Sequence, residues 1–256
     1  MIQLRALGQV SYEFILGSET LVIDPYLSNS VEEREDAAHK RLFPIATSPD
    51  KYSSVDIILI THVHRDHCDE DSLVPISKAS PTARFVAPPQ AKSALISWGI
   101  DAARIIGVDQ TFISLSPEVD LIVVPSAHPT VVKEDLGGFE AVGYIIKYDS
   151  YVIYHAGDTC LTDDVLASIK KHGKIDIAFI PVNECNYMRD ADGIIGNMSV
   201  REAFYFAEQI GATTLVPTHW DMFAKNQTYL EEIELLYNKL KPPFALSIYP
   251  REFSHA

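Results

Sequence analysis

Short β-like runs that alternate with amphipathic helical segments most constrain the fold of this chain. Ten apolar or β-branched runs are bounded by Gly, Pro, Asp or Ser, a pattern typical of strands. These runs are residues 2–7, 12–16, 20–23, 55–60, 84–86, 121–124, 142–147, 151–154, 177–180 and 214–216. Segments with helical periodicity are residues 71–78, 90–98, 162–171, 199–210 and 228–240. The alternation predicts a layered α/β or α+β domain and disfavours a β-sandwich or a helix bundle.

Local signals refine this prediction at particular turns and helix ends. Ser199 with Glu202 three residues later is a capping-box pattern at a helix start, and Gly211 is a typical helix stop. Asp149-Ser150 between two strand-like runs predicts a hairpin. Residues 27–54 form a long irregular segment, which we expect to be a surface loop beside a functional site.

Length and charge limit the classes of protein and partner. A chain of 256 residues with 47% hydrophobic side chains can bury a core without metal or disulfide staples, and we expect one domain over residues 1–256. Its formal net charge of −14 at pH 7 repels phosphate backbones and disfavours nucleic acid as a partner. No run approaches the ~18 consecutive apolar residues of a membrane span. We expect neither a signal peptide nor a membrane partner.

The cysteine content indicates a reducing compartment. Cys68, Cys160 and Cys185 are an odd and sparse set, which argues against a disulfide framework. We therefore expect a cytoplasmic protein. The sequence leaves open whether the chain forms a homo-oligomer.

A dense cluster of histidines follows the predicted strand at residues 55–60. The segment Thr61-His62-Val63-His64-Arg65-Asp66-His67 contains three histidines and an aspartate within six positions. In an extended segment, residues two apart point the same way, so His62 and His64 can approach one ion. A turn then lets Asp66 and His67 face a second ion. Imidazole and carboxylate ligands suit Zn, Mn, Fe or Ni, and the lack of paired cysteines argues against a closed structural zinc site.

Three further candidate ligands follow later predicted strands. His128 comes after residues 121–124, Asp158 after residues 151–154, and His219 after residues 214–216. Loops after strands are positions where a rigid scaffold can hold functional side chains. The sequence therefore predicts an open, reactive metal site built from several loops.

With these residues in place, the sequence resembles the metallo-β-lactamase superfamily. The resemblance runs from Ile23-Asp24-Pro25-Tyr26 through the histidine cluster and the Gly157-Asp158 turn to His219. Within the superfamily the chain looks most like the lactonases that open L-ascorbate 6-phosphate. The residues that carry this closer likeness are Arg41-Leu42-Phe43-Pro44, Asp69, Ser72, Met198-Ser199, the segment at residues 216–221, and Asn226.

The resemblance implies a fold and a set of metal ligands. The implied fold is a four-layer αββα sandwich, with helices outside two mostly antiparallel sheets. Seven ligands would hold two divalent ions, Zn or Mn, with Fe or Ni as alternatives. The ligands are His62, His64 and His128 for one ion, Asp66, His67 and His219 for the other, and Asp158 between them. Such a pair can lower the pKa of a shared water towards about 7.

Other residues receive supporting roles from the resemblance. Asp66 and Asp158 are the catalytic candidates, and Asp66 can also orient the water or relay its proton. Asp24 and His155 would support the metal ligands through hydrogen bonds. The residues expected to contact substrate are Glu184, Asn186, Arg189, Asn197 and Lys225, with Arg189 or Lys225 able to bind a phosphate.

These observations predict a metal-dependent hydrolase that acts on a small molecule. The first candidate substrate is a sugar-derived lactone, phosphorylated or not, such as L-ascorbate 6-phosphate. The alternative is a phosphodiester, from a cyclic nucleotide, a phospholipid head group or RNA, because the same metal pair stabilises that transition state. A third hypothesis is a non-hydrolytic protein that responds to oxidants or metals through its ions and thiols.

Overall fold

The computed structural model describes residues 2–108, 111–135 and 137–254. The chain divides into two compact units. The first comprises Met1–Gln110, Lys133–Glu140 and Tyr249–Ala256, and the second comprises Thr111–Val132 and Ala141–Ile248. Each unit carries one seven-stranded sheet and its own helices. The expectation of one domain over residues 1–256 stays a prediction.

The described residues form fourteen strands. In chain order these are β1 (Ile2–Gly8), β2 (Ser11–Leu16), β3 (Glu19–Ile23), β4 (Ile57–Leu59), β5 (Arg84–Ala87), β6 (Ile105–Gly107), β7 (Phe112–Ser114), β8 (Val119–Pro125), β9 (Val142–Tyr148), β10 (Tyr151–His155), β11 (Ile177–Pro181), β12 (Thr214–Thr218), β13 (Ala245–Leu246) and β14 (Glu252–Phe253). The hairpin predicted at Asp149-Ser150 is confirmed, with Tyr148 opposite Tyr151.

Seven α-helices occur in the described part of the chain. They are α1 (Ser30–Arg34), α2 (Glu70–Ala79), α3 (Pro89–Ser97), α4 (Asp163–Lys170), α5 (Tyr187–Ala191), α6 (Val200–Gln209) and α7 (Leu230–Leu240). The five predicted helices are confirmed to within about two residues at each end, whereas α1 and α5 were not predicted. Each of those two has five residues, too few to show a helical period.

Both sheets use the same pairing scheme. The first unit has the order β14-β1-β2-β3-β4-β5-β6, and its pairs are antiparallel from β14 to β3 and parallel from β3 to β6. The second unit has the order β7-β8-β9-β10-β11-β12-β13, with antiparallel pairs up to β10 and parallel pairs beyond it.

The two mixed sheets with their helices confirm the α/β class, but the expectation of mostly antiparallel sheets is wrong. Half of the pairs in each sheet are parallel. Parallel neighbours need a long crossover, and the segments before β4, β5, β11 and β12 provide one. The short strands β6, β7, β13 and β14 were not predicted, since two or three residues cannot show an alternating pattern.

Each unit has its own apolar core. In the first unit, Leu73 and Ile76 of α2 and Leu95 of α3 pack with Ile58 and Phe85 of the parallel strands. Full burial of such a side chain stabilises the fold by roughly 1.5–3 kcal/mol. In the second unit, α4, α6 and α7 contribute buried side chains to a cluster with strands β8 to β12. The cores fix the strand ends from which the polar loops begin.

Within residues 2–108, 111–135 and 137–254, none of the helices has the length and apolar character needed to cross a bilayer.

The capping box predicted at α6 is present, and it supports a stability prediction. Ser199 Oγ accepts from Glu202 N at 3.3 Å, and Glu202 Oε2 accepts from Ser199 N at 2.8 Å. Ser199→Ala removes one of these bonds, so the free energy of unfolding should fall by about 1 kcal/mol in urea denaturation. Ser199→Thr keeps the hydroxyl and should stay close to the wild type. A loss no larger than that of Ser93→Ala, inside α3, would contradict the capping role.

Candidate metal centre

The first group of candidate ligands lies where β3 and β4 end side by side. These strands are parallel, with Ile23 opposite Leu59, and Asp24 N donates to Leu59 O at 2.9 Å. Asp24 has the left-handed backbone angle φ 43°, which is uncommon outside glycine. Loops that leave the carboxyl ends of neighbouring parallel strands meet at one sheet edge. The register therefore brings Asp24 to the segment that begins at Thr61.

The Asp24 carboxylate organises this segment. It is fully buried and accepts from Thr61 N at 2.8 Å and from Thr61 Oγ1 at 2.5 Å. Its Oδ2 lies 2.8 Å from His67 Nδ1. An ionised carboxylate can only accept, so the hydrogen of the neutral His67 ring is placed on Nδ1 and the Nε2 lone pair is available to a metal. The contact holds His67 in the form in which imidazole binds a metal.

The histidine rings of this loop lie against one another. The ring centroids of His62 and His64 are 4.6 Å apart, and those of His62 and His67 are 4.1 Å apart. The ligand atoms of His62 and His64 lie within 4.8 Å of each other, as do those of Asp66 and His67. A turn begins at His64, whose carbonyl accepts from His67 N at 3.0 Å. Four donor side chains are thus gathered on one loop.

Gln9 holds the carboxylate of Asp66. Gln9 lies between β1 and β2 with φ 59°, and its Nε2 donates to Asp66 Oδ2 at 3.0 Å. The same oxygen is 3.6 Å from His67 Nε2. The Asp66 side chain is 19% exposed whereas that of His67 is fully buried. Asp66 is therefore the member of this pair that solvent reaches.

The second group of candidate ligands lies on loops that follow β8, β10 and β12. Hydrogen bonds tie the first two loops together: Ala127 N donates to Thr159 Oγ1 at 3.0 Å, and Cys160 N donates to Ala127 O at 2.7 Å. Since Ala127 precedes His128 and Thr159 follows Asp158, these bonds fix the two side chains beside each other.

Asp158 faces two imidazoles. Its Oδ2 lies 3.7 Å from His128 Nε2 and 3.2 Å from His219 Nε2. All three side chains are at least 95% buried. His219 has φ 58°, a left-handed angle that turns the chain directly after β12. A buried charge requires pairing or a metal, and two imidazoles face this carboxylate.

His155 supports the turn that carries Asp158. It ends β10, is fully buried, and stacks on Phe179 with ring centroids 5.7 Å apart. Its Nδ1 accepts from Gly157 N at 3.2 Å, and Gly157 has φ 60°. The ring thus fixes the backbone of Gly157, the residue directly before Asp158.

Asn186 and Glu184, which are predicted to contact substrate, lie directly before helix α5. Asn186 Oδ1 accepts from Met188 N and Arg189 N, both at 3.1 Å, and caps the helix. Asn186 Nδ2 donates to Glu184 Oε2 at 3.2 Å, and Glu184 is exposed. The amide of Asn186 therefore orders the same loop that presents the Glu184 carboxylate.

Arg189 joins two loops. Its Nη1 donates to Glu184 O at 2.5 Å and its Nη2 donates to Gln227 O at 2.9 Å. The side chain is buried, and burial lowers the pKa of the guanidinium. These carbonyl contacts give Arg189 a bracing role in the loops. Its predicted contact with a substrate phosphate stays a prediction.

Asn197 and Lys225, the remaining predicted substrate contacts, differ in burial. Asn197 is 2% exposed, and its Nδ2 donates to Asn183 Oδ1 at 2.8 Å. Lys225 is partly exposed, with Nζ 3.6 Å from Asp192 Oδ2. Lys225 can therefore reach a ligand from solvent, whereas Asn197 is already part of a buried polar network.

Four residues that contact candidate ligands or the partners of those ligands have no supporting role predicted from the sequence. Thr61 and Gln9 contact His62 and Asp66, and Asn183 contacts Asn226. Asn226 Nδ2 lies 3.4 Å from His219 Nδ1. Asn226 was noted only for the family likeness. The position of Thr61 directly before the histidines could have drawn attention to it, but Gln9 carries no such signal.

The donor set fits a divalent transition metal. Imidazole and carboxylate groups are typical ligands of Zn, Mn and Fe. Thr61, Asp24 and Asn226 face the Nδ1 atoms of His62, His67 and His219, which leaves binding to the Nε2 atoms. Each unit therefore contributes His and Asp side chains with the chemistry of metal ligands.

The buried hydrogen bonds of Asp24 predict a loss of stability for Asp24→Asn. The amide cannot accept from all the donors around it, so a buried donor is left unsatisfied at a cost of about 1–3 kcal/mol. Chemical denaturation of the metal-free protein measures the effect. Asp56→Asn is the matched control, because Asp56 is only partly buried and accepts from Thr20 N at 2.8 Å. Equal losses for the two variants would contradict the organising role of Asp24.

The environments of two thiols predict different reactivities. Cys160 and Cys185 are free, and Cys185 is exposed whereas Cys160 is half-buried. Burial raises the pKa of the Cys160 thiol to about 11, so roughly one Cys160 thiol in a thousand is ionised at pH 8. We expect iodoacetamide to modify Cys185 much faster than Cys160 at this pH, as followed by peptide mass spectrometry. Comparable rates would show that the Cys160 pKa is not raised.

Comparison with known proteins places these observations in a family. The family model described as "Beta-lactamase superfamily domain" matches residues 19–220, a segment that contains all the candidate ligands. A UPF0173 metal-dependent hydrolase of Pyrococcus furiosus is 28% identical over 256 residues, covering 97% of this chain and 100% of that protein.

Solved structures show the same fold. Igni18, a metallo hydrolase from the archaeon Ignicoccus hospitalis, has a TM-score of 0.73 at 18% identity and covers 99% of both chains. The isothiocyanate hydrolase from Delia radicum gut bacteria has a TM-score of 0.72 at 17% identity, covering 100% of this chain and 98% of that one. The chain thus has the metallo-β-lactamase fold and belongs to the β-lactamase superfamily domain family.

Proposed function

We propose that this protein is a metal-dependent hydrolase with two divalent metal ions. The observation that carries the proposal is the buried contact between Asp24 and His67, beside a loop that offers the donors of His62, His64 and Asp66. A carboxylate that holds the Nδ1 hydrogen of a histidine is typical of metal-binding imidazoles. The relative from Pyrococcus furiosus is itself named a metal-dependent hydrolase, which is in keeping with this function.

The proposed ligands divide as the family likeness implies. The first ion is assigned to His62, His64 and His128, the second to Asp66, His67 and His219, and Asp158 to both. The arrangement inside each unit is consistent with this division, since His62 lies next to His64, Asp66 next to His67, and Asp158 next to both His128 and His219. Zn or Mn are the proposed metals, with Fe or Ni as alternatives.

Bound metal would supply positive charge and a water of lowered pKa for attack on an ester-type carbon. The chain itself would supply orientation and proton transfer. Asp66, held by Gln9 and partly exposed, is proposed to orient the attacking water and pass its proton towards solvent. Asp158, fixed by the turn that His155 supports, is proposed to remain ionised between two imidazoles.

We propose a small sugar-derived lactone, phosphorylated or not, as the substrate, in line with the likeness to L-ascorbate-6-phosphate lactonases. The proposed contacts come from the loops after β11 and β12, which present Glu184 and Lys225 to solvent. Asn186, Arg189 and Asn197 are proposed to shape that surface from within the loops. We also propose a cytoplasmic location, which the free thiols favour, with oligomeric state to be measured by light scattering.

Metal loading with single-ligand variants tests the proposal. Wild-type protein loaded with Zn or Mn should retain up to two ions per chain by elemental analysis. His62→Ala and His219→Ala should weaken metal binding by more than the ~10–100-fold typical of a lost supporting residue. His172→Ala is the matched control, because His172 follows α4 and belongs to none of the groups of candidate ligands. Wild-type protein that retains no metal under any loading condition would contradict the proposal.

A substrate screen of the loaded protein then separates the candidate reactions. We expect hydrolysis of lactones, lost in His62→Ala and kept in His172→Ala. The screen should also include phosphodiesters, thioesters and isothiocyanates. Activity on phosphodiesters alone would replace the lactonase assignment with the alternative hydrolase. Two stoichiometric irons that change oxidation state without turnover of any ester would favour a sensor.

A further inference from the structure

A row of three buried asparagines leads away from His219. Asn226 Nδ2 lies 3.4 Å from His219 Nδ1, Asn183 Nδ2 donates to Asn226 Oδ1 at 3.0 Å, and Asn197 Nδ2 donates to Asn183 Oδ1 at 2.8 Å. Asn183 is fully buried, and Asn197 and Asn226 are 2% and 8% exposed. The row connects a candidate metal ligand on the loop after β12 with a residue on the loop after β11.

The backbone around the row is fixed by hydrogen bonds. Asn197 N donates to Asn183 O at 3.2 Å, and Val182 N donates to Thr218 O at 3.0 Å. Thr228 Oγ1 donates to Val182 O at 2.7 Å. These bonds hold the positions of the three amides. What can still change is the direction of each amide, because a half-turn about the terminal bond exchanges oxygen and nitrogen.

Gly196 allows Asn197 to reach this position. A Cβ at Gly196 would lie 2.4 Å from Glu184 O and 2.5 Å from Cys185 Cα, closer than any side chain permits. The absent side chain lets the segment before Asn197 lie directly against the loop after β11, where Cys185 N donates to Asn197 O at 2.9 Å. The end of the row is therefore held against the backbone.

Amide chemistry makes the row directional. Each amide has a donor end and an acceptor end, so the direction of one fixes the direction of the next. In one direction Asn226 donates to His219 Nδ1, and the hydrogen of the neutral ring must lie on Nε2. In the reverse direction His219 Nδ1 donates to Asn226 Oδ1, and Nε2 presents its lone pair. Only the reverse direction is compatible with binding a metal through Nε2.

The far end of the row distinguishes the two directions. In the structure Asn197 Oδ1 is buried and has no hydrogen-bond partner among the described residues. The reverse direction turns this oxygen to Asn183 Nδ2. The amide nitrogen Nδ2 of Asn197 then occupies the position that the oxygen had. Unsatisfied buried acceptors are tolerated more readily than unsatisfied donors. The metal-free row therefore favours the first direction, and a metal on His219 favours the reverse one.

We propose that Asn226, Asn183 and Asn197 are positioning residues that set the tautomer of His219. The proposal rests on the proposed role of His219 as a metal ligand. Metal binding at His219 reverses the row and changes the atom that Asn197 turns towards Asn183 from Nδ2 to Oδ1. The residues act through His219 and are not themselves ligands.

Carboxylate variants test the direction of the row. The side chain introduced by Asn226→Asp can only accept when ionised, so it should place a hydrogen on His219 Nδ1 in the metal-free protein, whether or not Nε2, 3.2 Å from Asp158 Oδ2, keeps its own. Asn183→Asp should have the same effect from one residue further away, because both neighbouring amides then turn their donors towards it. Nitrogen-15 NMR of histidine-labelled protein distinguishes the Nδ1–H and Nε2–H tautomers. If His219 Nδ1 carries no hydrogen in either variant, the proposal that the row sets the position of this hydrogen is overturned.

Metal affinity provides the second readout. Asn226→Leu removes the partner of His219 and should weaken Zn binding by about 10–100-fold in a chelator competition. Asn226→Asp should stay within a few-fold of the wild type, which separates orientation from a general loss of packing. Asn238→Ala, an exposed asparagine on α7, is the control and should bind as the wild type does. Wild-type affinity in Asn226→Leu would overturn the proposal.

The outcomes separate this inference from the proposed function. Wild-type protein that takes up no Zn, or His219→Ala that binds Zn normally, contradicts the role of His219 as a ligand. A second set of outcomes contradicts only the role of the asparagine row. In that set the wild type binds Zn, His219→Ala does not, and Asn226→Leu binds Zn as the wild type does.

Discussion

The structure of the first unit depends on one buried carboxylate at the parallel ends of β3 and β4. Asp24 accepts from both the backbone and the side chain of Thr61 and contacts His67 Nδ1. A buried charge is stable only when its hydrogen-bonding capacity is used. The same contacts that satisfy Asp24 also fix the start of the loop and the orientation of an imidazole. The same hydrogen bonds thus stabilise both this sheet edge and the candidate ligand group.

The second unit holds its candidate ligands mainly through hydrogen bonds between neutral groups of the surrounding loops. Asp158 faces His128 and His219, and the loops that carry these residues are tied by backbone, hydroxyl and amide hydrogen bonds instead of one central charge. Neutral networks cost less to desolvate than charges, but their members can reverse direction. The first unit therefore holds its imidazole in one tautomer, whereas the amide row of the second unit is proposed to reverse when His219 binds a metal.

Sequence patterns predicted much of this molecule where the signal is local. The central strands, the long helices and the capping box at Ser199 each show within a few residues. Family likeness pointed to the donor residues and to Asp24. The parallel half of each sheet and the hydrogen bonds of Gln9, Asn183 and Asn226 could not be predicted, because they depend on register between segments far apart in the chain. The sequence around Gln9, a single glutamine between two strands, gives no indication that its side chain contacts the Asp66 carboxylate.

The common pairing scheme of the two sheets has a consequence for how such a chain can diversify. In both units most of the polar loops leave the carboxyl ends of parallel strands, such as β4, β11 and β12, whose side chains are almost all buried. Lengthening a surface loop adds little closure entropy and leaves the strand register intact. Longer segments inserted within residues 27–54 or 192–195 are therefore expected to change the loop surface while the hydrogen-bonded ladders beneath stay as they are.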